Sequence, residues 1–125
     1  MRAIVVGGGI GGLTAAIALQ RIGVEVVVFE RADELQEIGA GISLWANAMK
    51  ALGKLGLADA VLEAGRTLRP KAQLRSQSGE VFYEIAASTM EERFEAVTVA
   101  VYRADLQKTL LSALDDEALR LDVER

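Results

Sequence analysis

Residues 1–30 read MRAIVVGGGIGGLTAAIALQRIGVEVVVFE, and this stretch decides the fold. The short apolar run Ala3–Val6 is typical of a parallel strand that is covered on both faces. After a glycine-rich turn, the Ala- and Leu-rich segment from about Ile10 to Arg21 predicts a helix, which Gly23 ends. The run Val24–Phe29 predicts a second strand. The order strand, turn, helix, strand indicates an α/β protein with a Rossmann-like βαβ unit and a parallel sheet.

The turn has the form Gly7-x-Gly9-x-x-Gly12, and the acidic residue Glu30 ends the second predicted strand. The first glycine allows a tight turn, the second lets a pyrophosphate approach the backbone, and the third allows close packing of helix on strand. Glu30 follows Gly7 by 23 positions, near the ~20 expected for a carboxylate that binds ribose hydroxyls. The pattern therefore indicates a dinucleotide site, with the phosphates at the helix N-terminus. The alternatives are a glycine turn without a ligand and a solvated carboxylate at a strand end.

Composition excludes several classes of function. The chain has 125 residues, of which 51% are hydrophobic, enough for one domain with a core. Its net charge of −4 argues against a nucleic-acid surface and against a polybasic membrane patch. Cysteine and histidine are absent, which excludes disulfides, a thiol nucleophile, a Ser-His-Asp triad and Cys- or His-ligated metals within this sequence. The uncharged stretch Ala3–Gln20 is broken by five glycines, so we expect a cytoplasmic protein with no membrane span.

The middle of the chain predicts a mainly helical segment. Arg31–Glu37 is polar and predicts a surface connection, and Gly39-Ala40-Gly41 favours a turn over close approach to a ligand. Ala46–Leu55 and Leu57–Ala64 predict two short helices, each stopped by a glycine.

Pro70 marks a boundary, after which the pattern changes to alternating polarity. The elements predicted there are a β-hairpin formed by residues 71–76 and 80–85, an irregular charged loop at Ala86–Ala96, a strand at Thr98–Tyr102, a helix at Arg103–Leu114 and a third core strand at Leu119–Val123. Arg103 stands in the first turn of its helix, where a cation opposes the helix dipole by roughly 0.3–1 kcal/mol. From the residues alone, it either reaches toward an anion or bends away into solvent.

Five segments together resemble the FAD-dependent aromatic hydroxylases, the single-component flavoprotein monooxygenases of the salicylate and p-hydroxybenzoate hydroxylase type. The segments are GGGIGGL from Gly7, Glu30-Arg31, EIGAGISLWANA from Glu37, LGKLGL from Leu52 and RADL from Arg103. The resemblance covers essentially the whole chain. One departure is Ala46, where relatives often carry proline.

The resemblance implies that residues 1–125 are the N-terminal part of an FAD-binding domain, a fragment of a larger two-domain fold with an inserted helical segment and hairpin. Residues 1–30 would be the dinucleotide fingerprint, about 71–102 would belong to the substrate side, and 103–125 would add a helix and a third strand. The later Asp-Gly and Gly-Asp motifs of such enzymes do not occur in this sequence. The 125 residues alone are therefore expected to be inactive and to bind FAD weakly.

The resemblance also implies roles for individual residues. Glu30 would hold the adenosine ribose, Arg31 would flank the adenosine side, and Gly41 and Ile42 would approach the flavin. Arg103 would be a cofactor-binding arginine. The residues implied to hold the pyrophosphate are Gly7, Gly9 and Gly12, and Ile10 and Gly11 between them are also implied to bind the cofactor. Alternatively, Arg31 is a surface arginine, or a partner of a 2′-phosphate if the ligand is NADP. No catalytic residue and no metal ligand is implied.

The activity implied is hydroxylation of a small aromatic substrate, with FAD as cofactor, NADH or NADPH as co-substrate and O2 as oxidant. The difficult chemistry belongs to the cofactor, which suits a chain that lacks histidine and cysteine. Two alternatives stay open. One is another FAD- or NAD(P)-dependent oxidoreductase, and the other is a non-catalytic dinucleotide-binding scaffold or an inactive fragment.

Overall fold

The computed structural model describes residues 1–35, 39–68 and 72–123. In chain order its elements are β1 (Arg2–Val6), α1 (Ile10–Arg21), β2 (Glu25–Phe29), β3 (Gly41–Leu44), α2 (Ala46–Lys54), α3 (Ala58–Ala64), β4 (Arg66–Leu68), β5 (Ala72–Arg75), β6 (Val81–Ile85), α4 (Ala87–Phe94), β7 (Thr98–Tyr102), α5 (Arg103–Leu111) and β8 (Leu119–Arg120). The end of the predicted Arg31–Glu37 connection, the predicted boundary at Pro70 and the first residue of the predicted hairpin lie outside the described residues. The chain divides into two compact units, Met1–Ala40 with Tyr102–Arg125, and Gly41–Val101.

The first unit is built on a parallel sheet of order β1-β2-β8. β1 and β2 pair in parallel from Arg2 opposite Glu25 to Val6 opposite Phe29, and α1 connects them. This is the βαβ unit predicted from residues 1–30. Parallel strands need such a crossover because their ends lie at opposite edges of the sheet.

Two helices, α1 and α5, pack against each other in the core of this unit. Leu13 and Ile17 of α1 and Leu106 and Leu110 of α5 are buried together with Val28 of β2. Each of these side chains contributes roughly 1.5–3 kcal/mol by leaving water. The apolar side chains that the two helices carry at helical spacing therefore form the core of this unit, as predicted.

In the first unit, α5 and β8 both end earlier than predicted. α5 ends at Leu111 rather than Leu114, because the chain tightens into three-residue turns in which Leu114 N–H donates to the Leu111 carbonyl. β8 covers only Leu119–Arg120 rather than a strand to Val123. Asp122 adopts a left-handed conformation, φ 55°, and its N–H donates to Ala32 rather than continuing the ladder along β2. The third strand is therefore a short edge strand.

The sheet of the first unit has one face that is apolar and accessible. Ile4 and Val6 of β1 are exposed. A depression of about 650 Å³ on this sheet is lined by a set of mainly apolar residues, namely Arg2, Ile4, Val27, Phe29, Leu119, Arg120, Leu121 and Val123. Parallel sheets are normally covered on both faces, so the expectation of a strand covered on both sides is not met for β1 in the described residues.

The second unit contains a sheet of order β3-β7-β4 and the helices α2 and α3. β4 runs antiparallel to β7, from Arg66 opposite Ala100 to Leu68 opposite Thr98. The buried side chains are Leu44, Ala46, Met49, Leu52, Leu57, Val61, Val99 and Val101. β4 was not predicted, because a strand of three residues is too short to show a pattern of alternating polar and apolar residues. The turn predicted at Gly39–Gly41 is not formed, since Gly39 and Ala40 carry no turn and Gly41 already belongs to β3.

The predicted hairpin is present as β5 and β6, which pair antiparallel with a bulge between Leu74 and Arg75. Ser76 N–H donates to the Glu80 carbonyl across the turn, and Gly79 has φ +92°, which favours glycine. Leu74, Phe82 and Tyr83 are exposed.

The irregular loop predicted at Ala86–Ala96 is wrong, since Ala87–Phe94 forms α4. The segment holds helix-forming Ala, Met, Glu and Arg and has no glycine or proline, so local propensity permits a helix. Packing against α2 then stabilises it. Glu95 ends it in a left-handed conformation, φ 52°, and forms an ion pair of 3.7 Å with Lys50 of α2.

None of the helices in the described ranges is long and apolar enough to cross a membrane.

Candidate dinucleotide-binding site

The glycine turn joins β1 to α1 at the carboxyl end of the strand. Gly7 has φ +105°, a conformation that L side chains rarely adopt, and its N–H donates to the Phe29 carbonyl at 2.7 Å. A Cβ on Gly12 would lie 1.9 Å from the Gly7 carbonyl oxygen and 3.4 Å from Val5 Cγ1. The absence of a side chain at Gly12 therefore lets α1 pack directly on the turn.

Gly9 is the N-cap of α1, and no side chain caps the helix there. Within the described part of the chain, no atom would lie within 4 Å of a Cβ on Gly9. The first bond of the helical ladder runs from Leu13 N–H to the Gly9 carbonyl, so the N–H groups just before Leu13 have no acceptor within the helix. Open space beside uncapped N–H groups is an arrangement that accommodates an anion.

Glu30, directly after β2, is tied to this turn by its side chain. Its Oε2 accepts a hydrogen bond of 2.6 Å from Gly8 N–H, and its Oε1 accepts one of 3.0 Å from Ala32 N–H. The bond from Ala32, followed by that from Gly8, holds the pKa of Glu30 below its usual range. The carboxylate is thus ionised at neutral pH. Since two carboxylate oxygens offer about four lone pairs, acceptor capacity remains for ligand hydroxyls.

The chain from α5 to Asp115 runs in the same direction as α1, as two hydrogen bonds show. Gln107, in the middle of α5, donates through Nε2 to the carbonyl of Gly8, just before α1, at 2.9 Å. Asp115, which follows α5, donates its N–H to Oε1 of Gln20 in the last turn of α1 at 3.4 Å. The N-terminus of α5 therefore lies at the same end of the unit as the glycine turn.

Arg103 is the first residue of α5 and is exposed. It stands four positions before Gln107, and residues at that spacing share one face of a helix. Because Gln107 contacts the glycine turn, Arg103 lies on the same face of α5, one helical turn closer to the N-terminus of that helix. Its Cβ lies against Gly39, where an added Cβ would come within 3.0 Å. The ion pairs formed within the described ranges involve other cations.

The other predicted site residues are placed as follows. Arg31 is exposed beside Glu30. Gly41 and Ile42 begin β3 in the second unit, where a Cβ on Gly41 would stand 3.9 Å from the Val101 carbonyl oxygen. The first unit thus brings the glycine turn, Glu30 and Arg103 to one end.

Two contacts at this end were not predicted. Gly8 is an unspecified position of the motif, yet it is buried and bonded to Glu30. Gln107 carries a signal that could have been noticed, namely a polar residue between the buried Leu106 and Leu110 and four positions after Arg103.

Comparison with known proteins agrees with this geometry. A family model described as "FAD binding domain" matches residues 1–124. The chain is 39% identical over 111 residues to an FAD-dependent urate hydroxylase of Klebsiella pneumoniae. The aligned region covers 89% of this chain and 29% of the relative. It is 35% identical over 114 residues to a 3-hydroxybenzoate 6-hydroxylase of Klebsiella oxytoca, covering 90% of this chain and 29% of the relative.

Solved structures are similar as well. The crystal structure of Klebsiella pneumoniae HpxO complexed with FAD and uric acid matches with a TM-score of 0.83 and 32% identity. The match covers 98% of this chain and 31% of that structure. The chain therefore spans about three tenths of the length of the proteins it matches, as the 29% and 31% coverages show.

Proposed function

The chain belongs to the FAD-binding domain family, and on that premise we propose that its first unit binds the ADP half of FAD. The observation that carries the proposal is the bond of 2.6 Å between Gly8 N–H and Glu30 Oε2, which fixes a carboxylate beside an uncapped helix N-terminus. The proposed ribose acceptor and the proposed phosphate site are thereby held next to each other.

The residues present fit the pyrophosphate. The space at Gly9 accepts a group that a side chain would exclude, and the uncapped N-terminus of α1 begins at the same residue. The aligned peptide dipoles add about half a positive charge at this end of the helix. In this proposal Gly7, Gly9, Ile10, Gly11 and Gly12 hold the pyrophosphate through their backbone.

Glu30 fits the adenosine ribose, since its ionised carboxylate accepts hydrogen bonds from hydroxyl groups. Hydrogen bonds to a charged group contribute roughly 1.5–3 kcal/mol each. Arg31, next in the chain, flanks the adenosine side in this proposal.

Arg103 fits a second contact with the cofactor. At the N-terminus of a helix a guanidinium is unfavourable unless an anion is near, and Arg103 lies on the face of α5 that meets the glycine turn. We assign Gly41 and Ile42 to the flavin and residues 71–102 to the substrate side, because the family resemblance implies both.

The reaction we propose for the protein to which this chain belongs is hydroxylation of a small aromatic substrate with O2 and NADH or NADPH. The names of the relatives, a urate hydroxylase and a 3-hydroxybenzoate 6-hydroxylase, support the substrate class. When bound, FAD supplies the redox chemistry. The residues described here bind and orient the cofactor, and none is assigned a catalytic role. A cytoplasmic location completes the proposal.

Titration of the 125-residue chain with FAD, ADP, NADH and NADPH tests the cofactor assignment. We expect FAD and ADP to bind and to compete with each other, because both carry the half that this unit holds. NADH carries the same ADP half and is expected to compete as well, so the flavin assignment is tested by the preference for FAD over NADH that the contacts proposed at Gly41 and Ile42 would add. Binding of NADH or NADPH with higher affinity than FAD would reject the assignment to flavin. Isothermal calorimetry measures all four ligands under one condition.

A further inference from the structure

Gln107 contacts the backbone of the glycine turn from a helix far away in the sequence. Its Nε2 donates to the Gly8 carbonyl at 2.9 Å across 99 positions of the chain. Gly8 is buried, and Gln107 is half-buried. A buried carbonyl without a partner costs roughly 1–3 kcal/mol, so this bond satisfies an acceptor that would otherwise be left unpaired.

Both polar groups of Gly8 are therefore held by side chains. Its N–H donates to Glu30 Oε2 at 2.6 Å, and its carbonyl accepts from Gln107. The partners come from different parts of the unit, since Glu30 follows β2 and Gln107 lies in α5. Gly8 has no side chain that could hold it in place by packing. These two hydrogen bonds therefore fix the orientation of the peptide groups on either side of Gly8.

We propose that Gln107 is a positioning residue for the dinucleotide, acting through the peptide group between Gly8 and Gly9. This inference rests on the proposed function. The peptide is planar and trans, so the Gly8 carbonyl and the Gly9 N–H point in opposite directions. By holding the carbonyl toward α5, Gln107 keeps the Gly9 N–H on the other side. A rotated peptide would present a carbonyl oxygen where the N–H now stands, and an oxygen repels a phosphate.

The chemistry of the side chain matters here, because only a donor can hold a carbonyl. Gln107→Met keeps the length of the side chain and removes the donor. Gln107→Glu keeps the shape and the polar character of the side chain but replaces the amide donor with a carboxylate oxygen, which only accepts. Ser112→Ala is the matched control, since it removes from the same helix a side-chain bond to the Lys108 carbonyl, away from the turn.

The test measures FAD affinity and the amide NMR resonance of Gly9 in the 125-residue chain, with circular dichroism as the control for folding. We expect Gln107→Met to weaken FAD about tenfold, the scale of one lost hydrogen bond with a buried acceptor left unpaired. Gln107→Glu should weaken it at least as much. Both should shift the Gly9 resonance without ligand, and Ser112→Ala should change neither quantity.

Three results would overturn the inference. FAD affinity at the wild-type level in both Gln107 variants would do so, as would an unchanged Gly9 resonance in both. Wild-type affinity in Gln107→Glu with a loss in Gln107→Met would show that the position needs shape and polarity rather than a donor. If the wild-type chain binds no FAD, the proposed function itself is wrong. If the wild-type chain binds FAD and both Gln107 variants bind it equally well, only the positioning role of Gln107 is wrong.

Discussion

The Oε2 atom of Glu30 accepts a hydrogen bond of 2.6 Å from the N–H of Gly8, so the carboxylate after β2, which we propose as the ribose acceptor, is also tied to the glycine turn. One side chain thus joins the end of the second strand to the turn that we propose to hold the phosphates. The two roles can be separated by experiment, because one of them does not need a ligand.

Replacing Glu30 by Gln should weaken FAD binding by roughly 1.5–3 kcal/mol, the range for hydrogen bonds to a charged group. The amide keeps the size of the side chain but loses the charge and one acceptor oxygen. Titration followed by flavin fluorescence measures the change. Exposed Glu34→Gln, which alters a nearby carboxylate in the following segment, is the control. Equal affinity in both variants would mean that Glu30 does not contact the ribose.

The stability of the folded chain should decrease as the pH falls below the ordinary pKa of Glu30. The hydrogen bonds from Ala32 and Gly8 lower this pKa in the folded state from 4.5. A carboxyl with a lowered folded pKa contributes stability that is present above its unfolded pKa and is lost as pH falls through the folded value. Urea unfolding from pH 6 to about pH 3 should therefore show a smaller acid loss for Glu30→Gln than for wild type. Identical pH profiles would contradict the role of these bonds.

Gly9→Val should abolish detectable FAD binding and leave folding nearly unchanged. The position is open, since no atom of the residues that the structure describes lies within 4 Å of an added Cβ, and its φ of −74° suits any residue. A valine side chain would fill the space assigned to the pyrophosphate. FAD titration together with thermal unfolding checks both halves of the prediction, and flavin binding at the wild-type level would reject the assignment of the site.

Gly12→Ala should destabilise the fold by about 1–3 kcal/mol or more, the cost of overpacking. The added Cβ would lie 1.9 Å from the Gly7 carbonyl oxygen, a backbone atom that cannot move without shifting α1 or β1. Urea unfolding without ligand measures this. Gly11→Ala, at an open position of the same helix, is the matched control, and its free energy of unfolding should decrease far less. Equal midpoints for the two variants would show that the helix is not closely packed at Gly12.

Arg103→Ala should weaken FAD binding while the fold is kept, because Leu106 and Leu110 remain buried and anchor α5. Arg103→Lys should retain part of the affinity, since it keeps the charge but not the planar guanidinium. Arg21→Ala, which removes an exposed arginine from the last turn of α1, is the control for net charge. Affinities that are the same for Arg103→Ala and Arg21→Ala would make Arg103 an ordinary surface residue.

The βαβ unit and the glycine turn could be predicted because their signals are local. Val26–Val28 is a continuous apolar run, Ile10–Arg21 has helical composition, and the glycines have fixed spacing. The predicted helix bounds of α1 agree with the structure, and so do those of the strand at Thr98–Tyr102.

What could not be predicted depends on contacts between distant residues. α4 has only moderate helical signals and gains its partner, α2, in the folded unit. β8 is short because Asp122 and Val123 turn to donate to carbonyls near Glu30, and no local pattern encodes this choice. The bond between Gln107 and Gly8 likewise joins residues 99 positions apart.

The contact of Gly12 with the Gly7 carbonyl means that the glycines of one motif are maintained by different selective pressures. A library of variants selected only for folded protein should retain glycine at position 12 and accept other residues at position 9. The same library selected for captured cofactor should retain glycine at both. Evolutionary drift after loss of the ligand would therefore erase the motif unevenly, beginning at Gly9 and reaching Gly12 last.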